Sequence, residues 1–364
     1  MRLIALVIAT LTLVACAPRG EITLYAGAGD VGEVQRIFVG STRDLNPATG
    51  QPSGARSENM LFGRVDVSVP PEREAGSVTY VGRKDPDPQV HFLVDNFASF
   101  AGADIFTSAL RQELRGRRGD ARTAVIFVHG FNNTFAEGLY RFAQMVEDFD
   151  LPFVAVHYTW PSAGHPLGYG YDRDSMLFAR DGLENLIEAT TNAGATEVIL
   201  VGHSMGALLT MESLRQLAIG NKTSVIKRIG GVMLLSPDID IDLFRQQSNR
   251  IGKLPQPFYI FSSTKDRALQ LSAGLSGQSA RLGNAEDIAP LADLDVTLVD
   301  ISAFSDGGLD HTVALSSPSF VKLVQSVPEL STTVGNTRGP SLLPGTVLVV
   351  QNATKLVIGN PSRP

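Results

Sequence analysis

Beyond residue 123, short apolar segments alternate with longer amphipathic ones. The apolar segments predict six buried strands, at 124–128, 153–158, 197–201, 231–235, 258–262 and 296–301. Apolar residues at helical spacing predict helices between them, at about 174–190, 240–250 and after Thr134, where Thr134 and Glu137 form a capping-box pattern. Strands that are apolar almost throughout are typical of a parallel sheet covered on both faces. The pattern therefore predicts an α/β protein with a mostly parallel sheet flanked by helices.

The flanking regions follow different patterns. Short strands are expected at 34–39, 61–69 and 77–81, separated by Pro, Gly and Asp clusters, and the second half of 97–114 has helical spacing. We therefore expect an N-terminal β-rich extension plus helix at 33–115, within one α/β domain at 33–330. A tail at 331–364 is rich in Gly, Pro, Ser and Thr. Its apolar runs at 346–350 and 355–358 predict a terminal hairpin.

The first residues have the character of a targeting segment. Arg2 precedes an apolar run that is too short to span a bilayer as a helix, and the run ends in Leu13-Val14-Ala15-Cys16. This ending resembles the bacterial lipobox, in which the signal peptide is cut before an acylated cysteine. It predicts a lipoprotein signal peptide at 1–15, lipidation of Cys16 and a Gly-rich tether at 16–32. An ordinary secretory peptide is the alternative.

Lipidation defines where the protein is expected. The mature chain would be anchored by acyl chains on the periplasmic face of a bacterial cell envelope, and would not span the membrane. Ala17, in place of aspartate, favours the outer membrane over the inner one. Cys16 is the only cysteine, so no disulfide within the chain is expected.

Composition excludes several classes of function. The chain has 364 residues, a formal net charge of −6 and a pI near 5.6, which does not resemble a nucleic-acid binder. The six histidines are scattered and no cysteine pair exists, so no metal site is predicted. Gly27-Ala28-Gly29 lacks the strand and helix that a nucleotide-binding loop requires. We therefore expect no cofactor.

The pentapeptide Gly202-His203-Ser204-Met205-Gly206 is the strongest chemical signal. It follows the apolar run 198–201 and precedes a helical pattern, which is the context of a nucleophile elbow. Glycines two residues before and after Ser204 remove side chains that would clash in so sharp a turn. We predict that Ser204 is the nucleophile and that the Met205 N–H points at a developing oxyanion.

A serine nucleophile needs a base and a group that orients the base. In hydrolases built on such a sheet, the chain order is Ser, acid, His. Asp266, past the strand at 258–262, is the favoured acid. Asp238, past the preceding strand, is the alternative. His311 is the predicted base because it follows the last predicted strand, whereas His203 is expected to point away from the site.

The turn after the strand at 124–128 is the predicted partner of the elbow. His129-Gly130-Phe131 fits an oxyanion turn, in which the Phe131 N–H acts together with the Met205 N–H. Asn132, Trp160 and Asp238 are candidates for the substrate wall. A packed loop over the core is the alternative for Trp160.

Several motifs together resemble a bacterial family of α/β-hydrolases of unknown function that are esterase- or lipase-like. The matching stretches are FVHGFNNTF (127–135), YTWPSAG (158–164), LVGHSMG (200–206), LLSPDID (234–240), SSTKDRAL (262–269), VGSTR (39–43) and FGRVDVSVP (62–70). The resemblance covers roughly 35–325. It implies the α/β-hydrolase fold and a Ser204–Asp266–His311 triad, but it implies no particular substrate.

Two hypotheses for function follow. The first is a membrane-anchored serine hydrolase that acts on a small-molecule or lipid ester or thioester. The second is a non-catalytic envelope lipoprotein that uses the same scaffold to bind a ligand, because a fold does not define a function. The sequence identifies no protein partner.

Overall fold

The computed structural model describes residues 19–275, 277, 281–285, 289–305, 310–321, 346–351 and 355–359. The strands are β1 (Glu33–Leu45), β2 (Pro52–Val69), β3 (Leu93–Phe100), β4 (Ala124–Val128), β5 (Val154–Thr159), β6 (Val198–His203), β7 (Ile229–Leu235), β8 (Phe258–Ser262), β9 (Thr297–Asp300), β10 (Thr346–Gln351) and β11 (Lys355–Gly359). The helices are α1 (Ala103–Arg115), α2 (Phe135–Asp148), α3 (Tyr169–Phe178), α4 (Arg180–Asn192), α5 (Met205–Ile219), α6 (Thr223–Ile226), α7 (Ile241–Ile251), α8 (Arg267–Leu275) and α9 (Val313–Ser316).

The described strands form one sheet in the order β11-β10-β9-β8-β7-β6-β4-β5-β1-β2-β3. Strands β1 and β4 to β10 run parallel, while β2, β3 and β11 are antiparallel to their neighbours. Helices α4, α5 and α7 pack on one face, and α2 packs on the other. The predicted α/β class, with a mostly parallel sheet flanked by helices, is confirmed. The carboxyl ends of the parallel strands meet at one edge of the sheet.

The N-terminal extension belongs to this sheet. β1 pairs with β5 in parallel and continues the central sheet, and β2 and β3 follow it. The predicted strand at 77–81 is wrong, because β3 takes the edge position beside β2 instead. Tyr80 packs on Tyr140 of α2, with ring centroids 6.1 Å apart. The aromatic ring of segment 77–81 therefore contacts a helix, and the segment does not pair as a strand.

The single helix expected at 174–190 is two helices. α3 and α4 meet at Ala179, and the buried Tyr158 hydroxyl donates a 2.6 Å hydrogen bond to the Ala179 carbonyl. This hydroxyl satisfies a backbone group at the end of a helix and thereby stabilises the break. At the C-terminus, β10 and β11 pair as antiparallel strands in the predicted hairpin region.

The predicted tether is packed against the domain over residues 19–32. Thr23 and Tyr25 exchange backbone hydrogen bonds with Val94 of β3, and Asp95 accepts hydrogen bonds from the N–H groups of Gly27 and Gly29. The Gly-rich composition predicted a tether, but hydrogen bonds to the edge strand β3 hold this segment against the domain. Residues 1–18, including Cys16, lie outside the described residues. None of the helices over the described residues has the length and apolar character needed to span a bilayer.

Candidate active site

Ser204 lies in a strained turn between β6 and α5. Its backbone has φ 55° and ψ −122°, outside the regions that L-residues ordinarily occupy. A Cβ on Gly206 would lie 2.3 Å from the His129 carbonyl oxygen, and one on Gly202 would lie 2.7 Å from Ala207 Cα. The two glycines therefore allow the turn to pack tightly against its surroundings. The Ser204 side chain lines a cavity of about 820 Å³ at the carboxyl edge of the sheet.

His311 lines the same cavity and contacts a buried carboxylate. Its Nδ1 lies 2.8 Å from Asp266 Oδ2, and Asp266 is completely buried. The other carboxylate oxygen, Oδ1, accepts a 3.0 Å hydrogen bond from the Leu269 N–H. Because an ionised carboxylate can only accept, His311 Nδ1 carries the proton in this contact. The opposite ring nitrogen, Nε2, is then left with a free lone pair.

His203 supports His311 directly, contrary to the expectation that it points away. Its Nε2 donates a 3.0 Å hydrogen bond to the His311 carbonyl, and the two ring centroids are 4.9 Å apart. Burial lowers the pKa of His203 to about 3, so the ring is neutral at physiological pH. No local pattern reveals this contact, because the two histidines are 108 positions apart in the chain.

The turn after β4 packs directly on the elbow. A Cβ on Gly130 would lie 2.8 Å from Ser204 Cβ, so only glycine allows this approach. The Asn133 side-chain amide donates to the carbonyls of Gly130 and Phe131 and so stabilises the turn. Within the described part of the chain, the N–H groups of Phe131 and Met205 have no hydrogen-bond acceptor. An oxyanion hole requires N–H donors that are free in this way, and Phe131 lines the same cavity as Ser204.

Arg43, in the VGSTR motif, supports this turn from inside the protein. The Arg43 side chain is buried and donates hydrogen bonds of 2.8, 3.0 and 2.9 Å to the carbonyls of Asn133, Ser162 and Ser53, and one of 2.8 Å to Thr159 Oγ1. Burial lowers its pKa to about 10, so the guanidinium still carries its charge at neutral pH. Sequence reasoning missed this role, because Arg43 lies between the polar residues Thr42 and Asp44 and nothing in the local pattern marks it as buried.

Asp172 of α3 acts on the same turn from the other side. It accepts hydrogen bonds from the Asn132 N–H at 3.1 Å, the Ser162 hydroxyl at 2.5 Å and the Ala163 N–H at 2.7 Å. Burial raises the pKa of this carboxyl group. Asn132, which has a positive φ of 58°, lines the cavity as predicted for a wall residue.

Asp238, the alternative acid, lies on the cavity wall but has other partners. Its carboxylate accepts a 2.8 Å hydrogen bond from the Tyr169 hydroxyl and a 2.7 Å one from Ser272 Oγ. It also lies 3.1 Å from Nε of the buried Arg281. The structure therefore brings Asp266, and not Asp238, to His311.

Trp160 does not line the cavity, so its predicted place in the substrate wall is wrong. The indole is completely buried, stacks on the His129 ring at 4.9 Å and donates a 2.7 Å hydrogen bond from Nε1 to the His129 carbonyl. The large apolar ring packs against His129 at the start of the turn after β4, which explains why it does not reach the cavity. Over the described ranges, no group of His, Cys, Asp and Glu has the arrangement of a metal site.

Comparison with known proteins agrees with this architecture. Residues 103–327 match the family described as an alpha/beta hydrolase of unknown function (DUF900). The chain belongs to this family. The match covers more than half of the chain and confirms the fold and the resemblance predicted from the motifs. No curated protein matches the chain.

Several solved structures are similar to the chain at low sequence identity. The chain resembles Aspergillus fumigatus lipase B at 18% identity and a TM-score of 0.37, over 68% of this chain and 64% of that chain. It resembles a Pyrococcus furiosus esterase at 13% identity and a TM-score of 0.36, over 88% of this chain and 97% of that chain. It resembles a Rhizomucor miehei esterase at 13% identity and a TM-score of 0.32, over 85% of this chain and 83% of that chain.

Proposed function

We propose that this α/β-hydrolase is a membrane-anchored serine hydrolase that cleaves carboxylic esters or thioesters through an acyl-enzyme on Ser204. The observation that carries the proposal is the 2.8 Å contact between His311 and the buried Asp266, with His311 and Ser204 lining one cavity. A histidine oriented by a carboxylate, in one cavity with a serine in a strained turn, supports activation of the serine hydroxyl as a nucleophile.

In the first half of the reaction, His311 Nε2 takes the proton from Ser204 as its oxygen attacks the acyl carbonyl. The N–H groups of Phe131 and Met205 stabilise the negative charge that develops on the carbonyl oxygen. Asp266 stabilises the imidazolium that forms. The tetrahedral intermediate then collapses, the bond to the leaving alcohol or thiol breaks, and His311 returns its proton to that group.

In the second half, water hydrolyses the acyl-enzyme. His311 removes a proton from the water as its oxygen attacks the ester carbon on Ser204, and the same two N–H groups stabilise the second oxyanion. Collapse releases the carboxylic acid, and the proton on His311 returns to the serine oxygen. The cycle regenerates the enzyme and consumes one water for each ester.

The membrane anchor is the second part of the proposal. Leu13-Val14-Ala15-Cys16 supports cleavage before Cys16 and acylation of its thiol. We propose a bacterial envelope location with the hydrolase domain on the periplasmic side, and an outer membrane in preference to an inner one. Mass spectrometry of the N-terminal peptide should detect acyl groups on Cys16, and Cys16→Ser should move the protein to the soluble fraction.

Fluorophosphonate labelling of the purified full-length protein in detergent tests the nucleophile. We expect one adduct, mapped by peptide mass to Ser204, that disappears in Ser204→Ala and in His311→Ala. Ser319→Ala is the matched control, because Ser319 is another serine on the cavity wall. A folded wild-type protein that gives no adduct would overturn the proposal and favour a non-catalytic, ligand-binding lipoprotein.

A further inference from the structure

The first described residues contact Asn132, which lines the cavity. Arg19 donates hydrogen bonds of 2.9 and 2.8 Å to the side-chain and backbone oxygens of Asn132, in the oxyanion turn. Gly20 is buried beside the start of α2. Its N–H donates to Glu137 Oε1 at 3.0 Å and its carbonyl accepts from Thr134 Oγ1 at 2.9 Å. The N-terminal segment is therefore fixed to the turn that borders the site.

This contact leaves a very short connection to the proposed anchor. Only Ala17 and Pro18 separate Cys16 from Arg19. Three residue steps of extended chain span at most about 11 Å, so acyl groups on Cys16 would start within that distance of Arg19. A free tether over residues 16–32 would instead allow the domain to move far from the membrane. With Arg19 docked on Asn132, the proposed anchor would hold the membrane surface within about 11 Å of Arg19.

The rim of the cavity carries unusual apolar exposure. Leu167 is 88% exposed and Leu271 is 67% exposed, the highest values for large hydrophobic side chains among the described residues. Leu271 lines the cavity, and Leu167 follows Pro166, which also lines it. A Cβ on Gly164, in the same loop as Leu167, would lie 3.5 Å from the Arg19 guanidinium. The apolar rim and the N-terminal attachment therefore lie at the same end of the molecule.

Exposed apolar side chains around a cavity indicate a surface that is covered in use. The covalent connection to Cys16 specifies a lipid surface as the covering partner, because the membrane cannot be farther away than the short connection allows. We propose that the leaflet holding the Cys16 acyl chains covers the cavity entrance, with Leu167 and Leu271 in its interfacial layer. The substrate is then an amphiphilic ester drawn from that leaflet. This inference rests on the proposed function and its lipid anchor.

Depth-dependent fluorescence quenching tests the orientation without measuring activity. Full-length lipidated protein would be reconstituted in vesicles of phosphatidylethanolamine and phosphatidylglycerol that contain brominated lipid. Leu167→Trp reports on the rim, since the native Trp160 is buried and shielded from the lipid. Ile219→Trp is the control. Ile219 is 42% exposed and ends the 15-residue α5, about 22 Å along that helix from the site.

We expect quenching for Leu167→Trp and none for Ile219→Trp. Inserting about ten Gly and Ser residues between Ala17 and Pro18 adds about 17 Å of mean reach, so it should reduce the quenching at 167. Equal quenching at the two positions, or none at 167, would overturn the proposed orientation. An unmodified Cys16 would overturn it as well, because the argument from chain length requires the anchor.

Turnover of two esters tests the substrate class. Burial of one leucine side chain in the membrane favours docking of the cavity rim by roughly tenfold. Leu167→Asp should therefore slow hydrolysis of a vesicle-embedded long-chain ester by about tenfold. Hydrolysis of a soluble short-chain ester should not change, because the Leu167 side chain does not line the cavity. Ile219→Asp should affect neither substrate. If wild type cleaves the soluble ester and Leu167→Asp slows neither reaction, the proposed membrane docking is wrong while the proposed hydrolase function stands. If wild type cleaves neither ester, the proposed function fails.

Discussion

Replacing Asp266 by Asn should disable the base while leaving the fold intact. The two oxygens of Asp266 have different partners, since Oδ2 contacts His311 Nδ1 and Oδ1 accepts from the Leu269 N–H. An amide has only one oxygen, and the Leu269 N–H requires an acceptor. The amide NH₂ group of the variant therefore faces His311. His311 then accepts at Nδ1 and carries its proton on Nε2, where it cannot accept one from Ser204.

The magnitude follows from two terms. Rotating the amide to restore the active tautomer leaves the buried Leu269 N–H unpaired, which costs about 1–3 kcal/mol. Loss of the carboxylate also removes roughly 4 kcal/mol of attraction to the imidazolium, for charges about 4 Å apart at an effective dielectric constant near 20. Together these terms predict a fall in kcat of about 10⁴-fold. KM should change little, because Asp266 is completely buried and does not line the cavity.

The assay is steady-state hydrolysis of a chromogenic ester, together with fluorophosphonate labelling rates and thermal melting. Asp238→Asn is the matched control on the other candidate acid. Asp238 contacts Tyr169 and Ser272 in the described structure and not His311, so the base keeps its orientation and kcat should fall by less than about tenfold, which is about 1.4 kcal/mol of barrier. A kcat for Asp266→Asn above one tenth of wild type would refute the reasoning. A lower kcat for Asp238→Asn than for Asp266→Asn would assign the role of the acid to Asp238.

Three further predictions concern the supports of the site. Gly130→Ala places a methyl group 2.8 Å from Ser204 Cβ, so displacement of the oxyanion turn should lower kcat/KM by about 100-fold; unchanged kinetics would exclude this turn from the oxyanion hole. Arg43→Met leaves the Asn133 carbonyl and other buried acceptors unpaired, and should lower the free energy of unfolding in urea by about 3 kcal/mol. Arg43→Lys, which keeps the charge, should recover only part of this loss. Full stability in Arg43→Met would contradict the stabilising role of the Arg43 hydrogen bonds. Burial lowers the pKa of His157 to about 3. The unfolded state therefore binds the extra proton as pH falls from about 6.5 toward 3, and stability is lost over that window by up to about 1.4 kcal/mol per pH unit. His157→Asn should make this slope shallower by about one proton, and an unchanged slope would show that His157 does not contribute to it.

Much of the architecture follows from local patterns. The strands from β4 to β9 and the elbow at Ser204 were predictable because each depends on neighbouring residues, namely an apolar run or glycines at fixed offsets. The capping box of Thr134 and Glu137 was also predictable, and it begins α2 in the structure. The strand at 77–81 failed because an alternating pattern does not distinguish pairing with a strand from packing on a helix.

Which residues contact each other in the site could be seen only in the tertiary structure. Two aspartates follow neighbouring strands, and only the folding of the chain after β9 determines that His311 reaches Asp266. The contact from His203 to His311, and that from Arg43 to Asn133, join residues 108 and 90 positions apart. The docking of Arg19 on Asn132 spans 113 positions.

The sequence by itself determined the fold class and the sharp turn at Ser204, because apolar runs and glycines at fixed offsets are patterns of neighbouring residues, while lipidation of Cys16 stays a prediction. Only the tertiary structure decided which carboxylate contacts the histidine, which buried charge supports the oxyanion turn and where the N-terminal segment attaches. The physical reason is that burial and backbone geometry impose patterns on neighbouring residues. A hydrogen bond between distant segments instead depends on how the whole sheet and its helices pack, and it leaves no local pattern.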